Sequence, residues 1–418
     1  MHGSAIAHSE PTMLPGGRMK HRHRERGQAV LATTIIISLV LLTLLTMLTQ
    51  VQLGNRLVSR QLTYQGQAAN AAQAGLVDAL SWFRKQQVQP VKAFNPIYDA
   101  SATPPINETE DTNSPNMGIV RNYQVSGPGR LMARYEVRKG IPAFSAAGAG
   151  VVDVTNQKGR TNASQGSVWQ LESIGYIWVQ NDPANNNYDQ STNQVLSKQT
   201  FRTEIQKMSV NVPDGGAALF SANCDNVTID TKTKIQGGAG IGVSCRPGGG
   251  LGMKNNGVVR GLTPTKTNSV APYDIQAVFA VTPQELQGLA DVNVTTVTDL
   301  PNPLPAMNLI IINGAAVFDN KRPLTGSGIL VVYGDLTVSV GSNSNWSGVI
   351  YCTGNLVINE VTQVSGAIIA ANNSSSATVA INSGTDISEA DYDPAIISQI
   401  NSQMGQYRFS RSKYWVGK

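Results

Sequence analysis

The sequence predicts an α+β domain, built from a long N-terminal helix and an antiparallel sheet, followed by an all-β solenoid. Three observations predict this fold class. A charge-free run from Gln28 to Asn55 continues into helical spacing, strand-like segments with turn signals follow up to residue 212, and a repeat of about 20 residues marks the C-terminal third. The 418 residues suffice for two or three domains.

The composition favours an exported, β-rich chain over a charged cytosolic enzyme. Charged residues make up 14% of the sequence, against about 25% in an average soluble protein, and glycine occupies 40 positions. The formal net charge of +5 comes from the two ends, residues 1–26 and 407–418, because residues 27–406 have a net charge of −2. This distribution disfavours nucleic-acid binding through bulk charge and leaves a local basic patch open.

Histidine is confined to the N-terminus, at His2, His8, His21 and His23. The remainder of the sequence therefore excludes histidine-based triads and histidine-ligated zinc or iron. The acidic residues show no calcium-binding repeat, and the glycine runs lack the Lys-Ser/Thr of a phosphate loop. We predict no catalytic residues, no bound metal and no cofactor.

The charge-free run predicts a membrane anchor. Its apolar centre, residues 29–48, covers about 30 Å as a helix, which is the thickness of a bilayer's hydrocarbon core. Basic residues precede it, so the N-terminus is expected in the cytoplasm and most of the chain outside. A cleaved secretory signal has a shorter apolar region, of about 7–15 residues.

Helical spacing continues beyond the membrane segment. Small or apolar residues recur from Leu57 to Phe83, and Pro90 is the first proline after the run, which predicts one helix over about 28–88. A cluster of alanines and one glycine between residues 68 and 75 would allow another element to approach closely.

The N-terminal pattern resembles that of PilX-type minor pilins of type IV pilus systems. A basic leader ends in Arg26-Gly27, a Leu- and Thr-rich apolar stretch follows, and residues 71–76 read Ala-Ala-Gln-Ala-Gly-Leu. The family has these features in this order, and the match covers about residues 26–85. The resemblance implies cleavage by a prepilin peptidase after Gly27, which would leave Gln28 as the first mature residue.

The resemblance also implies partners and a location. The partners would be other minor and major pilins, the pilus assembly machinery, the prepilin peptidase and the inner membrane. The chain would be a single-pass inner-membrane protein of the bacterial envelope that later reaches the pilus or cell surface. Ala32 stands at the fifth mature position, where major pilins carry glutamate, and this resembles minor pilins that need no subunit ahead of them. A plain single-span anchor is the alternative.

Three segments after the helix predict an antiparallel meander. Residues 131–138 alternate between apolar and polar side chains, and residues 168–180 and 197–212 are rich in β-formers with turn-forming stretches between them. A sheet that covers the outer half of the helix is the pilin arrangement. The predicted segments are a cytoplasmic leader (1–27), a transmembrane helix segment (28–55) and a pilin-like helix and meander domain (56–213).

The repeats predict a β-solenoid over residues 214–388. Similar units begin at Gly314, Gly334 and Gly354, and a Ser-Gly pair lies between successive units. A flat hairpin cannot close its own core, whereas stacked coils can, because each coil covers the apolar face of the next.

Two short helices are predicted around the repeats. An insertion at 246–308 contains the helix start Thr282-Pro283, with Glu285 completing a capping box. Asp393-Pro394 opens a second helix within residues 389–418, where we expect a capping helix at the solenoid's end and a basic, aromatic tail.

The cysteines Cys224, Cys245 and Cys352 fit no zinc ribbon or Cys-x-x-Cys motif. In an exported chain, a Cys224–Cys245 disulfide with Cys352 as a buried thiol is one interpretation. Three small buried apolar side chains are the other.

The tail is the candidate ligand-binding segment. Arg408, Arg411 and Lys413 are interleaved with aromatic residues that include Tyr414 and Trp415. Cationic groups combined with stacking surfaces suit single-stranded DNA or a sugar. The alternative is a final strand whose aromatic residues pack on the body of the protein.

The resemblance and the repeats together favour a non-enzymatic minor pilin of a type IV pilus or pseudopilus. Its solenoid would serve adhesion, DNA uptake or contacts at the pilus tip, with DNA or glycans of host or abiotic surfaces as ligands. A membrane-anchored carbohydrate-active β-helix enzyme is the alternative, because two facing carboxylates can hydrolyse a sugar polymer.

Overall fold

A computed structural model describes the backbone of residues 19–125, 130–160, 165–182, 185, 187–248, 253–374, 376–384 and 386–416. Side chains are described over the same ranges except for 19–29 and 411–416. The chain divides into two compact units, Met1–Gly66 and Gln67–Lys418.

The helices of the described chain are α1 (Met19–Lys85), α2 (Ile275–Phe279), α3 (Pro283–Leu289) and α4 (Pro394–Gln403). Short 3₁₀ turns cover Asn156–Lys158, Pro213–Gly215 and Val297–Asp299.

Strands β1 to β7 precede the repeats: β1 (Tyr98–Asp99), β2 (Ile106–Asn107), β3 (Gly118–Gln124), β4 (Leu131–Arg138), β5 (Val152–Asp153), β6 (Val168–Val179) and β7 (Gln194–Lys207). The next group is β8 (Ala217–Ser221), β9 (Val227–Ile229), β10 (Lys234–Gln236), β11 (Ile241–Cys245), β12 (Lys254–Asn255), β13 (Val258–Arg260) and β14 (Thr263–Lys266). The remaining strands are β15 (Val292–Val294), β16 (Asn308–Ile312), β17 (Ala316–Phe318), β18 (Thr325–Val332), β19 (Leu336–Val338), β20 (Ser344–Cys352), β21 (Leu356–Ile358), β22 (Thr362–Ala370), β23 (Val379–Ile381), β24 (Ser388–Tyr392) and β25 (Tyr407–Val416).

Helix α1 packs its C-terminal part on an antiparallel sheet with the strand order β25-β7-β6-β4-β3, in which β5 also pairs with β6. Alternate residues of β4, such as Ala133 and Val137, face the helix and are buried. The helix contributes Leu76, Ala79 and Phe83 to the same core. The predicted combination of a long helix and an antiparallel sheet is confirmed.

The repeats form a β-solenoid, as predicted. Its strands are parallel and lie in two sheets, one with the path β13-β10-β24-β22-β20-β18-β16-β15 and one with the order β12-β9-β23-β21-β19-β17. Equivalent residues of successive coils are in register, so Leu336 lies beside Leu356 and Ile310 beside Leu330. The side chains between the sheets form one apolar core that extends through the coils.

The long strands bend at a column of glycines that the repeats place one above another. Gly328, Gly348 and Gly366 have φ values of 122°, 150° and 138°, in a region that side chains rarely allow. A Cβ at Gly348 would overlap the carbonyl oxygen of Gly328, and a Cβ at Gly366 would overlap that of Gly348. The Ser-Gly pairs of the repeat therefore mark a corner where only glycine fits.

The chain enters and leaves the solenoid in the middle of the stack. The N-terminal half of β22 pairs with β24 over Thr362–Gly366, and its C-terminal half pairs with β8 over Ile368–Ala370. One coil is thus built from two segments that lie far apart in sequence. Strand β7 precedes the solenoid and β25 follows it, and these two strands pair with each other in the antiparallel sheet. The solenoid is an insertion between neighbouring strands of that sheet.

The three short helices cover one side of the solenoid. Outward-facing residues of the coils, such as Ile329, Val349 and Ile369, pack with Phe279 of α2, Leu286 of α3 and Ile400 of α4. Helix α4 lies against β20 and β22, on the side of the stack, rather than at the end where we expected a cap. The outward-facing residues of these strands are apolar, and the three helices shield them from water, so the strands are buried on both faces.

The expected insertion over 246–308 is shorter in the structure. Strands β12 to β14 continue the coils to Lys266, and β15 resumes them at Val292. Helix α3 begins at Pro283 with Thr282 as its N-cap, and the predicted capping box with Glu285 is present.

Cys224 and Cys245 form a disulfide, and Cys352 is a buried free thiol. The first of the two interpretations therefore describes the structure. The bond joins the loop after β8 to the end of β11 on the neighbouring coil.

Candidate functional site

The first part of α1 presents an unbroken apolar surface. Within the unit that ends at Gly66, the large apolar side chains from Val30 to Leu62 are between 50% and 66% exposed. This helix is long and apolar enough to cross a membrane by length and composition. An exposed surface of this kind marks a membrane or protein contact.

Hydroxyl groups in this segment are satisfied by the helix itself. The side chains of Thr34, Ser38, Thr43 and Thr49 each donate a hydrogen bond to a backbone carbonyl three or four residues earlier, at 2.7–3.0 Å. No water is needed to pair these donors, so these four hydroxyl groups are compatible with a hydrocarbon environment.

The predicted processing residues Arg26, Gly27 and Gln28 lie in the first turns of α1, and their side chains fall outside the described part. Ala32 follows them on the same helix and is exposed.

The small-residue cluster of α1 contacts the sheet of the same chain. Ala68, Ala72 and Ala79 are completely buried. A Cβ at Gly75 would overlap Ser173 Oγ on β6 and would come within 3.0 Å of the Tyr135 ring on β4. From the other side, a Cβ at Gly175 would overlap the carbonyl oxygen of Ala68. The Ala-Ala-Gln-Ala-Gly-Leu box thus permits direct backbone contact between helix and sheet.

Aromatic side chains fix the C-terminal end of the helix. The Phe83 ring stacks on Phe94 with ring centres 5.7 Å apart and also contacts Trp169 and Tyr407, at 5.2 Å each. The Tyr135 hydroxyl donates a 2.8 Å hydrogen bond to Asp78 Oδ2 on the helix. Burial and the Asp78 carboxylate raise the pKa of Tyr135, so this donor stays protonated.

The tail is the last strand of the antiparallel sheet. Tyr407 is completely buried, and its hydroxyl accepts from the amide of Val91 at 2.8 Å and donates to the carbonyl of Gly166 at 2.5 Å. Arg408 donates to the carbonyl of Leu289 and to Asp291 Oδ2, at 3.0 Å each. The start of the tail therefore has a structural role.

The other predicted ligand-binding residues lie further along β25. Lys413, Tyr414 and Trp415 pair with Thr203, Arg202 and Phe201 of β7. The side chains of Arg411, Lys413, Tyr414 and Trp415 lie outside the described part.

A face of the solenoid that the sequence did not single out carries two columns of mostly polar side chains. We call it the polar face. Strand pairing places its residues in register across successive coils, in the parallel arrangement that keeps partners on one side of a sheet. The outer column is Thr325, Asn345, Gln363, Glu389, Lys234 and Val258, and the inner column is Ser327, Ser347, Ser365, Asp391, Gln236 and Arg260.

The polar face is open to solvent, while the residues between its columns point into the core. Asn345 and Gln363 are exposed, Ser347 and Ser365 are half-buried, and Trp346 between them is completely buried. The pattern x-polar-x-Ser-Gly, present in three successive coils, is the sequence signal that identifies this face.

Two carboxylates lie at the centre of the polar face. Glu389 Oε1 accepts a 2.8 Å hydrogen bond from the side-chain amide of Gln236. Asp391 Oδ1 is buried and has no hydrogen-bond partner within the described structure. Burial and the neighbouring Glu389 carboxylate raise the pKa of Asp391 to about 6.

Other acidic residues of the solenoid pair with backbone amides. Asp319 Oδ1 accepts from the amides of Lys321 and Arg322 at 2.9 Å each, and Asp335 Oδ1 accepts from that of Asn355 at 2.7 Å. Asp393 is the N-cap of α4. Within the described ranges, no group of three or more His, Cys, Asp or Glu side chains is arranged to hold a metal ion.

No family model and no curated protein matches the chain. Among solved structures, the chain is similar to the crystal structure of the competence-associated pilin ComZ from Thermus thermophilus, at 11% sequence identity. The match covers 85% of this chain and 98% of that chain, with a TM-score of 0.18. A TM-score this low does not establish a common fold.

Proposed function

We propose that the chain is a minor pilin, of the PilX-like type, that enters a type IV pilus or a related pseudopilus through α1 and displays its solenoid outside the cell. The observation that carries the proposal is the division of α1. Its first part is apolar and exposed from Val30 to Leu62, and its second part is packed through Ala68, Ala72 and Gly75 on the antiparallel sheet.

This division suits a helix with two successive environments. The exposed part has the length and apolarity of a bilayer span, and its hydroxyls are already paired. After extraction from the bilayer, the same surface needs other apolar helices, which neighbouring pilins would supply. The prepilin peptidase, the inner membrane and the pilus machinery are the partners that follow from this proposal, with the N-terminus in the cytoplasm.

Processing provides the test. We expect the protein isolated from its native envelope to begin at Gln28, and to retain Met1 when the prepilin peptidase is absent, as intact-mass measurement would show. Substitution of Gly27 by leucine should block processing, whereas the matched change Gly54→Leu, at an exposed position on the same helix, should leave it intact. A protein that retains Met1 in its native envelope and never copurifies with pilus fibres would refute the proposal.

The tail remains a proposed contact for DNA through Arg411, Lys413, Tyr414 and Trp415. Its deletion is an unsuitable test, because Tyr407 is buried and β25 completes the sheet. We expect Arg411→Gln with Lys413→Gln to weaken binding of single-stranded DNA and to reduce its salt dependence. Arg130→Gln is the control, because Arg130 immediately precedes β4, which is separated from β25 by β7 and β6 in the sheet. An unchanged affinity in the tail variant would show that the tail does not bind DNA.

A carbohydrate-active enzyme is the second candidate, favoured by Asp391. A carboxyl with a pKa of about 6 beside a second carboxylate has the protonation behaviour of a general acid. Release of reducing ends from a polysaccharide, abolished by Asp391→Asn, would support the enzyme. Absence of turnover with intact binding would support the non-enzymatic pilin.

A further inference from the structure

We propose that the polar face of the solenoid binds an uncharged polysaccharide, whose chain lies along the two columns and crosses the strands at right angles. The proposal deepens the proposed function, because display of the solenoid outside the cell is what gives the face access to such a polymer. It names the class of ligand and the surface that recognises it.

The spacing of residues along the columns matches the repeat of an extended sugar polymer. Neighbouring parallel strands lie about 4.8 Å apart, so the outer column offers a hydroxyl, amide or charged group at that interval from Thr325 through Asn345 and Gln363 to Lys234. An extended polymer of sugar rings presents hydroxyl groups at a repeat of similar length. A single polymer can therefore form the same kind of contact on several successive coils.

Charge selects among polymers. Glu389 and Asp391 lie at the centre of the face, and Lys234 and Arg260 lie on the next two strands. Opposite charges thus balance across the face, which offers no net attraction to a polyion. The central carboxylates would repel phosphate groups, so nucleic acid is disfavoured on this surface.

The inner column is rigid before any ligand arrives. Ser347 and Ser365 have short side chains with little rotamer entropy to lose, and their backbone is held between paired strands on both sides. Gln236 is already fixed by its bond to Glu389. Affinity therefore does not depend on ordering long side chains.

The other two sides of the coils do not offer this arrangement. One is covered by α2, α3 and α4. The other consists of strands of two or three residues whose outward residues are, in order, Val317, Thr337, Val357, Ala380, Thr228 and Lys254, so apolar side chains interrupt the polar ones. The polar face is thus the surface on which the coils present continuous hydrogen-bonding columns.

Calorimetric titration of the full-length protein in detergent tests the proposal. The probes are hexasaccharides of β-1,4-linked glucose, xylose and N-acetylglucosamine, with a single-stranded DNA oligomer as the polyanion. We expect at least one hexasaccharide to bind, and the double variant Ser347→Ala/Ser365→Ala to bind it about tenfold more weakly, because two hydroxyl contacts are lost. Thr337→Val, on the side that lacks the columns, is the matched control and should bind like the unmodified protein.

Equal thermal unfolding midpoints for the three proteins would establish that the variants are folded. Absence of binding by every hexasaccharide at millimolar concentration would overturn the proposal, as would affinity unchanged by the double variant or displacement of the sugar by the DNA oligomer. The result is independent of pilus incorporation. A protein that binds sugar and retains Met1 in the cell would refute the pilin proposal alone.

Discussion

Arg160 and Glu285 form an ion pair of 2.5 Å that joins the loop before β6 to helix α3 beside the solenoid. The Arg160 side chain is 3% exposed and also donates to Ser167 Oγ. Glu285 also accepts from Gln206 of β7 at 3.2 Å and from the amide of Thr282 in the capping box. One carboxylate thus caps a helix and connects the inserted solenoid to the sheet.

Removal of this carboxylate should destabilise the whole unit. We expect Glu285→Ala to lower the free energy of unfolding by about 3 kcal/mol, because the buried Arg160 would lose its carboxylate partner and the capping box would be lost. Denaturant unfolding at neutral pH measures the change. Glu204→Ala is the control, since Glu204 pairs with the more exposed Lys158 and should cost less than about 1 kcal/mol. Equal losses in the two variants would contradict the role given to Glu285.

The close contact between α1 and the sheet predicts an asymmetry among the glycines of the helix. Gly75→Ala should destabilise the protein by about 1–3 kcal/mol, because the new methyl group overlaps Ser173 Oγ. Gly66→Ala, where no atom lies within 4 Å, should be neutral or stabilising by up to about 1 kcal/mol through helix propensity. Thermal unfolding of both variants would show the difference, and a stabilised Gly75→Ala would contradict the contact.

Local sequence signals predicted the elements, and tertiary pairing determined their arrangement. The capping box at Thr282 and the helix start at Asp393 depend on residues within one turn, and both are present where expected. The pairing of Lys234 with Glu389 joins residues from two separate blocks of repeats, and no local period reveals it. The insertion of the solenoid between β7 and β25 was therefore not predicted from the sequence.

The candidate site shows the same limit. The composition of the tail predicted a ligand-binding segment, yet Tyr407 and Arg408 form hydrogen bonds within the protein that stabilise the fold. The polar face consists of ordinary residues such as Asn345 and Gln363, which look like solvated corners in the sequence. Only their register in parallel strands makes them columns.

The raised pKa of Asp391 predicts that this residue lowers stability as the pH rises from 3.8 to about 6. Burial, Glu389 and Asp393 disfavour the ionised form of Asp391 in the folded state, while a hydrogen bond from the Gln236 side chain and the charge of Lys234 favour it. The pKa reaches about 6 against an ordinary value of 3.8. Below pH 3.8 the carboxyl is protonated in both states and contributes nothing. Between pH 3.8 and about 6 the unfolded chain loses this proton while the folded state keeps it, so stability falls over that interval and stays lowered by a constant amount at higher pH.

We therefore expect Asp391→Asn to raise the unfolding free energy at pH 7.5, on the order of 1 kcal/mol after solvent screening, and to change it little at pH 4. Denaturant titrations at the two pH values measure this. Asp319→Asn should behave oppositely, because backbone amides of Arg322 and Lys321 lower the pKa of Asp319 and stabilise its charged form. Equal effects of Asp391→Asn at both pH values would contradict the assignment.

The glycine column predicts which corner position of the solenoid is least tolerant. At Gly348 the backbone has a φ of 150°, and a Cβ would overlap the carbonyl oxygen of Gly328 in the preceding coil. Neither atom can move without breaking the register between β18 and β20, so Gly348→Ala should lower the unfolding free energy by about 3 kcal/mol or more. Gly341 is the matched control, because its φ of 72° is left-handed but no atom lies within 4 Å of its Cβ position. There alanine incurs only the conformational cost of about 1–2 kcal/mol. Denaturant unfolding compares the two variants, and a Gly348→Ala protein as stable as Gly341→Ala would show that the coils are not stacked through this column.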